Sequence, residues 1–209
     1  MEPLRIYGFA QSDFVWATRL AAHEKGAPTE FVSADLGHER VVADHPFVRV
    51  PVATHGNVHL CESRAICEYI DLAFDGPRLM PTAPAARAVA EQWVSLAITD
   101  LDPVAIRQFL FAYIFPKGEG GAPDRASIDA CLPKVHRRAD AWNHALAATG
   151  AFVAGPEWTL ADAYATTMFA SIRQMPEGAS FFEGRPHLAA WFARVTERPS
   201  FAATVPTPG

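Results

Sequence analysis

The segment from residue 49 to residue 66 constrains the fold of this chain more than any other stretch. Residues 50–54 and 58–61 are short runs of β-prone residues, and His55-Gly56-Asn57 between them is typical of a hairpin turn. A helical pattern opens directly after the second run, at Glu62-Ser63. The segment therefore predicts strand, turn, strand and helix, with Pro51 near the start of the first strand.

The first 76 residues predict a small mixed sheet with helices. Apolar strands are predicted at residues 4–7 and 29–33, and the helical spacing of residues 14–25 ends at a Gly-Ala-Pro sequence. Residues 37–44 are irregular or weakly helical, and residues 63–74 place apolar side chains on one helix face. The order is βαβ, then a weak helix, then ββα. We predict a thioredoxin-like α/β domain over residues 1–76.

The composition changes after residue 76, and the remaining pattern is helical. Residues 75–84 contain one glycine and three prolines, so we place a linker at residues 77–84. Pro103 should kink or divide the helix that follows. We predict an all-α domain over residues 85–209. Its predicted helices lie at residues 85–115, 124–148, 159–174 and 186–197, with a mobile loop at residues 116–123.

The overall composition argues against several classes of protein. Half of the 209 residues are apolar and a fifth are charged, which is typical of a soluble globular protein. A net charge of −5 without a basic block argues against nucleic-acid binding, and three cysteines without CxxC spacing argue against a disulfide framework. There is no signal-peptide pattern, and no apolar run approaches the roughly 20 residues that span a bilayer. We expect a cytoplasmic protein without membrane contact.

Short motifs in the order of a known family are spread over nearly the whole chain. They are Tyr7-Gly8-Phe9-Ala10-Gln11-Ser12, His23-Glu24-Lys25, His45-Pro46-Phe47-Val48-Arg49-Val50-Pro51, Phe152-Val153-Ala154-Gly155, Thr159-Leu160-Ala161-Asp162 and Arg198-Pro199-Ser200-Phe201. The series resembles the cytosolic glutathione transferases, above all the plant-type (phi) members with an active-site serine. The resemblance implies a homodimeric enzyme that takes glutathione as co-substrate and transfers its sulfur to a small hydrophobic electrophile, as in detoxification.

Ser12 lies just before the first predicted helix. On residue type alone it is a plain N-cap, whose hydroxyl accepts a hydrogen bond from a backbone N–H group. The resemblance implies instead that Ser12 contacts the glutathione sulfur. A hydroxyl donor and the positive end of a helix both favour the thiolate, which is the nucleophilic form. We predict Ser12 as a hydrogen-bond donor to that thiolate, and we expect the neighbouring Asp13 to point outward.

Glu62 and Ser63 place an acid and a hydroxyl at a predicted helix N-terminus, which suits the binding of a short, charged peptide. As an alternative, they are simple helix-start residues. The resemblance implies that they bind the ammonium and the α-carboxylate of the γ-glutamyl group, the latter with backbone N–H groups. It also implies a cis bond between Val50 and Pro51, so that the main chain of Val50 pairs with the cysteinyl backbone like an added strand.

The chain departs from the plant-type pattern just before the hairpin. Members of that group usually have Asn and Gln where this chain has His45 and Arg49, and the segment of residues 37–45 looks shorter here. Arg49 could still bind a ligand carbonyl or carboxylate. His38 and Arg40 are the predicted partners of the glycine carboxylate. A solvated surface position is the alternative for each.

Other side chains are candidates for substrate contact, for metal binding or for a structural role. The electrophile needs an apolar pocket, for which we predict Phe9 and Tyr113. His55 and His59 flank a turn, so we predict no metal site. We expect the Thr159-Leu160-Ala161-Asp162 motif to cap a helix and to stabilise the fold.

Conjugation of glutathione is not the only function compatible with these motifs. A catalytically weak binding or assembly module would keep the same fold. A glutathione-dependent thioether lyase, isomerase or reductase would keep the same co-substrate. Ser12 counts against the reductase, because redox-active relatives have a cysteine at that place.

Overall fold

The computed structural model describes residues 2–207, so Met1, Pro208 and Gly209, which the predicted domains include, lie outside the described residues. The described chain forms two compact units. One contains residues 2–81 together with 197–207, and we call it the sheet unit. The other contains residues 82–196, and we call it the helical unit.

The sheet unit is built on one four-stranded sheet. Its strands are β1 (Leu4–Gly8), β2 (Thr29–Ser33), β3 (Val52–His55) and β4 (Val58–Cys61), in the order β2-β1-β3-β4. Strands β1 and β2 are parallel, and β3 is antiparallel to both β1 and β4. Three helices accompany them: α1 (Asp13–Lys25), α2 (Glu39–Asp44) and α3 (Ser63–Ala73). This is the predicted βαβ-α-ββα order, so the thioredoxin-like fold class is confirmed.

Helix α1 begins and ends at local sequence signals. Ser12 is its N-cap, and Gly26 ends it in the left-handed conformation with a φ of 72°. The side chains of Val15, Trp16 and Leu20 are buried. The helix packs against α3 and β1, and its N-terminus follows the end of β1 after a short turn.

A buried ion pair holds the predicted linker in the sheet unit. Lys25 Nζ lies 3.0 Å from Asp71 Oδ1, and both side chains are almost fully buried. Lys25 also donates to the carbonyl oxygen of Pro77 at 3.1 Å, and Asp71 accepts from the backbone N–H of Leu79 at 2.8 Å. The buried Leu79 side chain adds an apolar anchor. Residues 77–81 are therefore packed into this unit.

The regular structure of the helical unit is helical, apart from an isolated bridge between Phe152 and Gly155. Helix α7 is its buried centre and packs against α4, α8 and the π-helical stretch. The predicted all-α character is confirmed. The elements are α4 (Pro84–Leu96), the π-helical stretch (Ala97–Leu110), α5 (Phe111–Ile114), a 3-10 turn (Glu119–Gly121), α6 (Arg125–Thr149), α7 (Leu160–Arg173) and α8 (Pro186–Thr196).

Pro103 changes the hydrogen-bond pattern of its helix rather than dividing it. The chain stays helical from Pro84 to Ile114, and Pro103 lies inside the π-helical stretch. Side chains satisfy carbonyl groups of this stretch. Gln108 Nε2 donates to the carbonyl oxygen of Pro103 at 3.0 Å. Arg138 Nε donates to that of Asp100 at 3.4 Å. The π pattern thus accommodates the missing N–H of the proline.

Asp162 organises the start of α7. Its Oδ2 accepts hydrogen bonds from the backbone N–H and the hydroxyl of Thr159, at 2.9 and 3.2 Å. Its Oδ1 accepts from the backbone N–H of Val153 at 3.1 Å and from Trp191 Nε1 at 2.9 Å. The predicted capping of this helix by Thr159 and Asp162 is confirmed. The same carboxylate also ties the helix to α8 and to the loop before it.

The end of the described chain packs against α1. Trp16 Nε1 donates to Thr204 Oγ1 at 3.0 Å, and Arg198 Nε donates to Glu24 Oε1 at 2.6 Å. These bonds place a last helix, α9 (Pro199–Thr204), in the sheet unit. The prediction placed this segment in the all-α domain of residues 85–209. The pairs that join the segment to α1 are distant in sequence, so no local pattern indicated them.

Candidate functional site

Ser12 is the N-cap of α1, and contact of its hydroxyl with the glutathione sulfur stays a prediction. Its backbone is extended, with φ −72° and ψ 120°, and its Oγ accepts from the backbone N–H of Val15 at 3.4 Å. The residue is half-buried. A serine hydroxyl is an acceptor and a donor at once, so the capping bond leaves its own proton available. The structure thus puts a hydroxyl donor at the positive end of a 13-residue helix.

Asp13, next to Ser12, is buried. Only 5% of its surface is exposed, so the expectation that it points outward is wrong. It stands in the first turn of α1, where a carboxylate complements the helix dipole. The fold therefore encloses this carboxyl group at the same helix end as Ser12.

Gly8 brings the start of α1 close to Val50. A Cβ atom at this position would lie 2.5 Å from Val15 Cγ2 and 3.2 Å from Val50 Cβ, so no larger residue fits without displacement. Strand β3 pairs with β1 through Tyr7 and Val52, and extending this register by two residues sets Phe9 opposite Val50. Val50 thus lies at the same sheet edge as the β1–α1 loop that carries Ser12.

The peptide bond between Val50 and Pro51 is cis, as the resemblance predicts. Pro51 is buried and Val50 is half-buried, directly before β3. The paired part of β3 starts only at Val52. The main chain of Val50 is therefore placed beyond the paired region, where an extended peptide could add to it.

Glu62 and Ser63 stand at the N-terminus of α3. Glu62 has a φ of 70° and makes no side-chain capping bond, so its role is not that of an ordinary N-cap. Such a φ is strained for a residue other than glycine, and strained residues cluster at ligand sites. The Glu62 side chain is 67% exposed, whereas Ser63 is buried. An exposed carboxylate thus stands beside a hydroxyl and a helix N-terminus, which suits an amino-acid head group.

Three predicted glutathione contacts are positioned less firmly: His38 and Arg40 for the glycine carboxylate, and Arg49 for a ligand carbonyl or carboxylate. His38 caps α2, because its Nδ1 accepts from the backbone N–H of Arg40 at 3.2 Å. The Arg40 guanidinium lies 3.9 Å from Asp44 Oδ2. Arg49 is exposed, with its guanidinium 6.0 Å from the centre of the Phe47 ring. All three belong to the sheet unit, and their contact with a ligand stays a prediction.

Comparison with known proteins identifies the family. Residues 6–78 match the family model for the N-terminal domain of glutathione S-transferase, and residues 101–199 match that for the C-terminal domain. Glutathione S-transferase 3 of Zea mays is 32% identical over 212 residues, which cover 98% of this chain and 94% of the relative. The chain belongs to the glutathione S-transferase family. The resemblance indicated by the motifs is confirmed.

Solved structures of glutathione S-transferases share this fold. Glutathione S-transferase III in its apo form gives a TM-score of 0.85 at 32% identity, with 99% of both chains covered. Glutathione S-transferase I from maize, in complex with an atrazine glutathione conjugate, gives 0.86 at 26% identity, with 97% of this chain and 96% of that chain covered. The match extends over both units of this glutathione S-transferase.

The phenol of Tyr113 is held by a carboxylate in this glutathione S-transferase. Its hydroxyl donates to Glu177 Oε2 at 2.5 Å, and Arg125 also bonds Glu177. Burial and the adjacent Glu177 raise the pKa of Tyr113 to about 12. Burial favours the protonated form of Glu177, but hydrogen bonds from Tyr113 and Arg125 outweigh it and lower its pKa. The hydroxyl proton of Tyr113 is already donated to Glu177, so the part of Tyr113 that is left for contact with a substrate is its ring.

Phe9 and Tyr113 stay predictions as contacts of the electrophile. Phe9 belongs to the sheet unit and is 42% exposed, as a residue that meets an apolar ligand should be. Tyr113 belongs to the helical unit and is half-buried. The Glu177 and Arg125 partners of Tyr113 were missed by sequence reasoning, because 64 positions separate Tyr113 from Glu177.

Among residues 2–207, no cluster of three or more His, Cys, Asp or Glu side chains could hold a metal ion. In that same part of the chain, no helix is both long and apolar enough to cross a membrane. The three cysteines are free thiols, with Cys67 and Cys131 buried and Cys61 half-buried.

Proposed function

We propose that this glutathione S-transferase binds glutathione along the sheet unit and ionises its thiol beside Ser12. The observation that carries the proposal is the Ser12 hydroxyl at the N-terminus of α1, in the loop after β1 whose Gly8 lies close to Val50. The names of the relatives support glutathione as co-substrate, and the maize structure holds a glutathione conjugate.

The charges of the site suggest how the tripeptide lies. Glu62 accepts the ammonium of the γ-glutamyl group, while the Ser63 hydroxyl and the first N–H groups of α3 receive its α-carboxylate. The cysteinyl backbone pairs with the N–H and C=O of Val50. His38, Arg40 and Arg49 supply positive or donor groups for the glycine carboxylate. These contacts direct the cysteine sulfur toward Ser12.

Catalysis then depends on keeping that sulfur ionised. The Ser12 hydroxyl donates to the thiolate, and the α1 dipole stabilises the same charge. The thiolate attacks an electrophilic carbon of a small hydrophobic substrate and forms the S–C bond. The leaving group departs with its bonding pair, or in an addition the neighbouring atom takes a proton from solvent. Phe9 and Tyr113 are the proposed apolar contacts of the substrate.

We also propose that the chain works as a cytoplasmic homodimer, as the family resemblance implies. Light scattering should then give a molar mass of twice 22.7 kDa for the purified protein. A monomer at micromolar concentration would contradict the dimer and leave the thiol chemistry unaffected.

The test of the proposed function is a titration of the bound thiol, followed by the ultraviolet absorbance of the thiolate. A hydrogen bond to a charged group is worth about 1.5–3 kcal/mol. Removing it in Ser12→Ala should raise the pKa of bound glutathione by roughly 1–2 units, at 1.36 kcal/mol per unit. Turnover near neutral pH should fall about tenfold or more. The binding constant for an S-alkyl glutathione should change little, since that ligand carries no thiolate.

Two further variants separate the thiol contact from the helix cap. Ser12→Gly keeps most of the capping preference and lacks the hydroxyl, so it should match Ser12→Ala in turnover while keeping the protein stable. Ser12→Asp keeps the cap but places a negative charge at the sulfur, so it should raise the thiol pKa further. Full turnover in Ser12→Ala would point to the reductase. Binding without turnover of any electrophile by the unaltered chain would point to the binding module.

A further inference from the structure

His45 is a buried side chain that contacts two parts of the proposed glutathione site. It directly follows α2, and only 3% of its surface is exposed. Its Nδ1 accepts a hydrogen bond from the backbone N–H of Phe47 at 3.1 Å. Its Nε2 lies 3.4 Å from Glu62 Oε1. One imidazole ring thus joins the turn before Val50 to the start of α3.

The hydrogen bonds determine which nitrogen carries the proton. A ring nitrogen that accepts from a backbone N–H has no proton of its own, so a neutral His45 carries its proton on Nε2. That nitrogen is the one that lies 3.4 Å from Glu62 Oε1. The contact between His45 and Glu62 therefore brings a ring N–H group within ion-pair distance of a carboxylate.

Glu62 needs such a partner in order to be pre-organised. Its side chain is mostly exposed and makes no capping bond with α3. A long exposed carboxylate otherwise samples several rotamers, and ordering it on binding reduces affinity. The backbone of Glu62 already has a strained φ of 70°, which sets the direction of its Cβ. The Nε2 atom of His45 is the polar group that lies 3.4 Å from one oxygen of this carboxylate.

We propose that His45 is a positioning residue that orients Glu62 toward the ammonium group of glutathione and thereby raises the affinity for the amino end of the tripeptide. The proposal rests on the function proposed above. It gives a physical role to a residue that departs from the plant-type pattern, where asparagine is usual. Asparagine can hold the turn but is too short to act as an imidazole does on Glu62.

That difference makes His45→Asn the informative variant. An asparagine side chain bonds the backbone N–H two residues ahead, so the turn at Phe47 should be preserved. Only the contact with Glu62 is then lost. A net hydrogen bond is worth about 0.5–1.5 kcal/mol, which corresponds to a loss of affinity of roughly 3- to 10-fold. The Michaelis constant for glutathione should rise by that factor with saturated turnover little changed.

The experiment compares two peptides by isothermal titration calorimetry. One is glutathione, and the other is its counterpart in which a glutaryl group replaces the γ-glutamyl group and the ammonium is absent. His45→Asn should weaken the binding of glutathione by the stated factor. It should leave the affinity for the glutaryl peptide unchanged within about twofold, because that peptide has no ammonium for Glu62 to bind. A general loss of protein stability would weaken the binding of both peptides alike.

A matched histidine offers the control. Both ring nitrogens of His55 are also bonded, to Tyr69 Oη at 2.7 Å and to the carbonyl oxygen of Glu2 at 3.1 Å. Neither partner belongs to the proposed site, so His55→Asn should leave the affinity for both peptides unchanged. Glu62→Gln changes the other residue of the same contact. It should weaken the binding of glutathione about tenfold and leave the affinity for the glutaryl peptide unchanged. In the double variant, His45→Asn should then have no further effect on affinity.

The outcomes separate this inference from the function on which it rests. Equal weakening of both peptides by His45→Asn, or no weakening of either, would overturn the positioning role while glutathione binding stands. Failure of the unaltered chain to bind glutathione would overturn both proposals. If His45→Asn does not fold, His45→Ser takes its place, because a serine hydroxyl also bonds the backbone N–H two residues ahead and is too short to reach Glu62. Equal weakening of the binding of both peptides by His45→Ser, or no weakening of either, would overturn the inference.

Discussion

Replacing the buried carboxylate of Asp162 should destabilise the helical unit far more than replacing an exposed carboxylate in a similar place. Asp162 is fully buried and accepts four hydrogen bonds, three of them from N–H groups that belong to Val153, Thr159 and Trp191. Asp162→Ala removes the acceptor from all of them at once. The groups left behind lie where water does not reach easily.

The expected magnitude follows from those orphaned donors. Each unsatisfied buried polar group costs about 1–3 kcal/mol. Three N–H groups would sum to roughly 3–9 kcal/mol, and relaxation of the loop before α7 reduces this, so we expect a loss of about 3–5 kcal/mol. Asp162→Asn keeps an oxygen for Val153 and Trp191 but turns an NH₂ group toward Thr159. Its loss should be intermediate, about 2–3 kcal/mol.

Asp124 provides the matched control. It is half-buried, caps α6, and accepts from the backbone N–H of Ser127 at 3.2 Å in a hydrogen bond that is exposed to solvent. Asp124→Ala is the same chemical change at a helix start, but water replaces the lost acceptor. We expect a loss of about 1 kcal/mol. The measurement is the free energy of unfolding in urea, followed by circular dichroism for all three variants.

Equal losses for Asp162→Ala and Asp124→Ala would refute this reasoning, since burial would then have no influence on the penalty. A loss below about 1.5 kcal/mol in Asp162→Ala would do the same, because it would mean that the three N–H groups find other partners.

Two further predictions concern Tyr113 and Glu62. Glu177→Gln should lower the pKa of Tyr113 from about 12 toward its ordinary value of 10.0, measured by ultraviolet titration of the tyrosinate against a Tyr113→Phe reference. Because the folded-state pKa is raised, the stabilisation from the neutral phenol is present below pH 10 and is lost as the pH rises toward 12, so Glu177→Gln should reduce this alkaline sensitivity. Glu62→Gly should relieve about 1–3 kcal/mol of strain against a glycine entropy cost of roughly 0.5–1 kcal/mol. It should therefore stabilise the sheet unit while weakening glutathione binding, and lower stability in urea unfolding would contradict the strain at this φ.

The order of elements could be predicted because its signals are local. A glycine ends α1, a turn sequence joins β3 to β4, and helical periodicity marks the segments that follow. The positions of Ser12, Glu62 and Ser63 at helix starts could be found in the same way. Each of these signals depends on a few neighbouring residues and on backbone geometry that one segment can express alone.

Other features could not be predicted, because they depend on which segments meet. Sequence reasoning placed Asp13 outside, since an inward carboxylate would oppose a thiolate beside Ser12, but packing around α1 buries it. The unusual φ of Glu62 and its contact with His45 arise only when the turn after α2 lies beside α3. No local sequence pattern predicts either feature.

By itself, the sequence determined the kinds of elements, their order, the family resemblance and the hydroxyl at the start of α1, because periodicity, turn residues and motifs are properties of short segments. Only the tertiary structure decided that the last helix joins the sheet unit through Trp16 and Thr204, and that Asp13 is enclosed. The same holds for the partner that occupies the Tyr113 hydroxyl. The physical reason is that burial, strain and hydrogen-bond partners are set by surfaces far apart in the chain, which become neighbours only when the core closes.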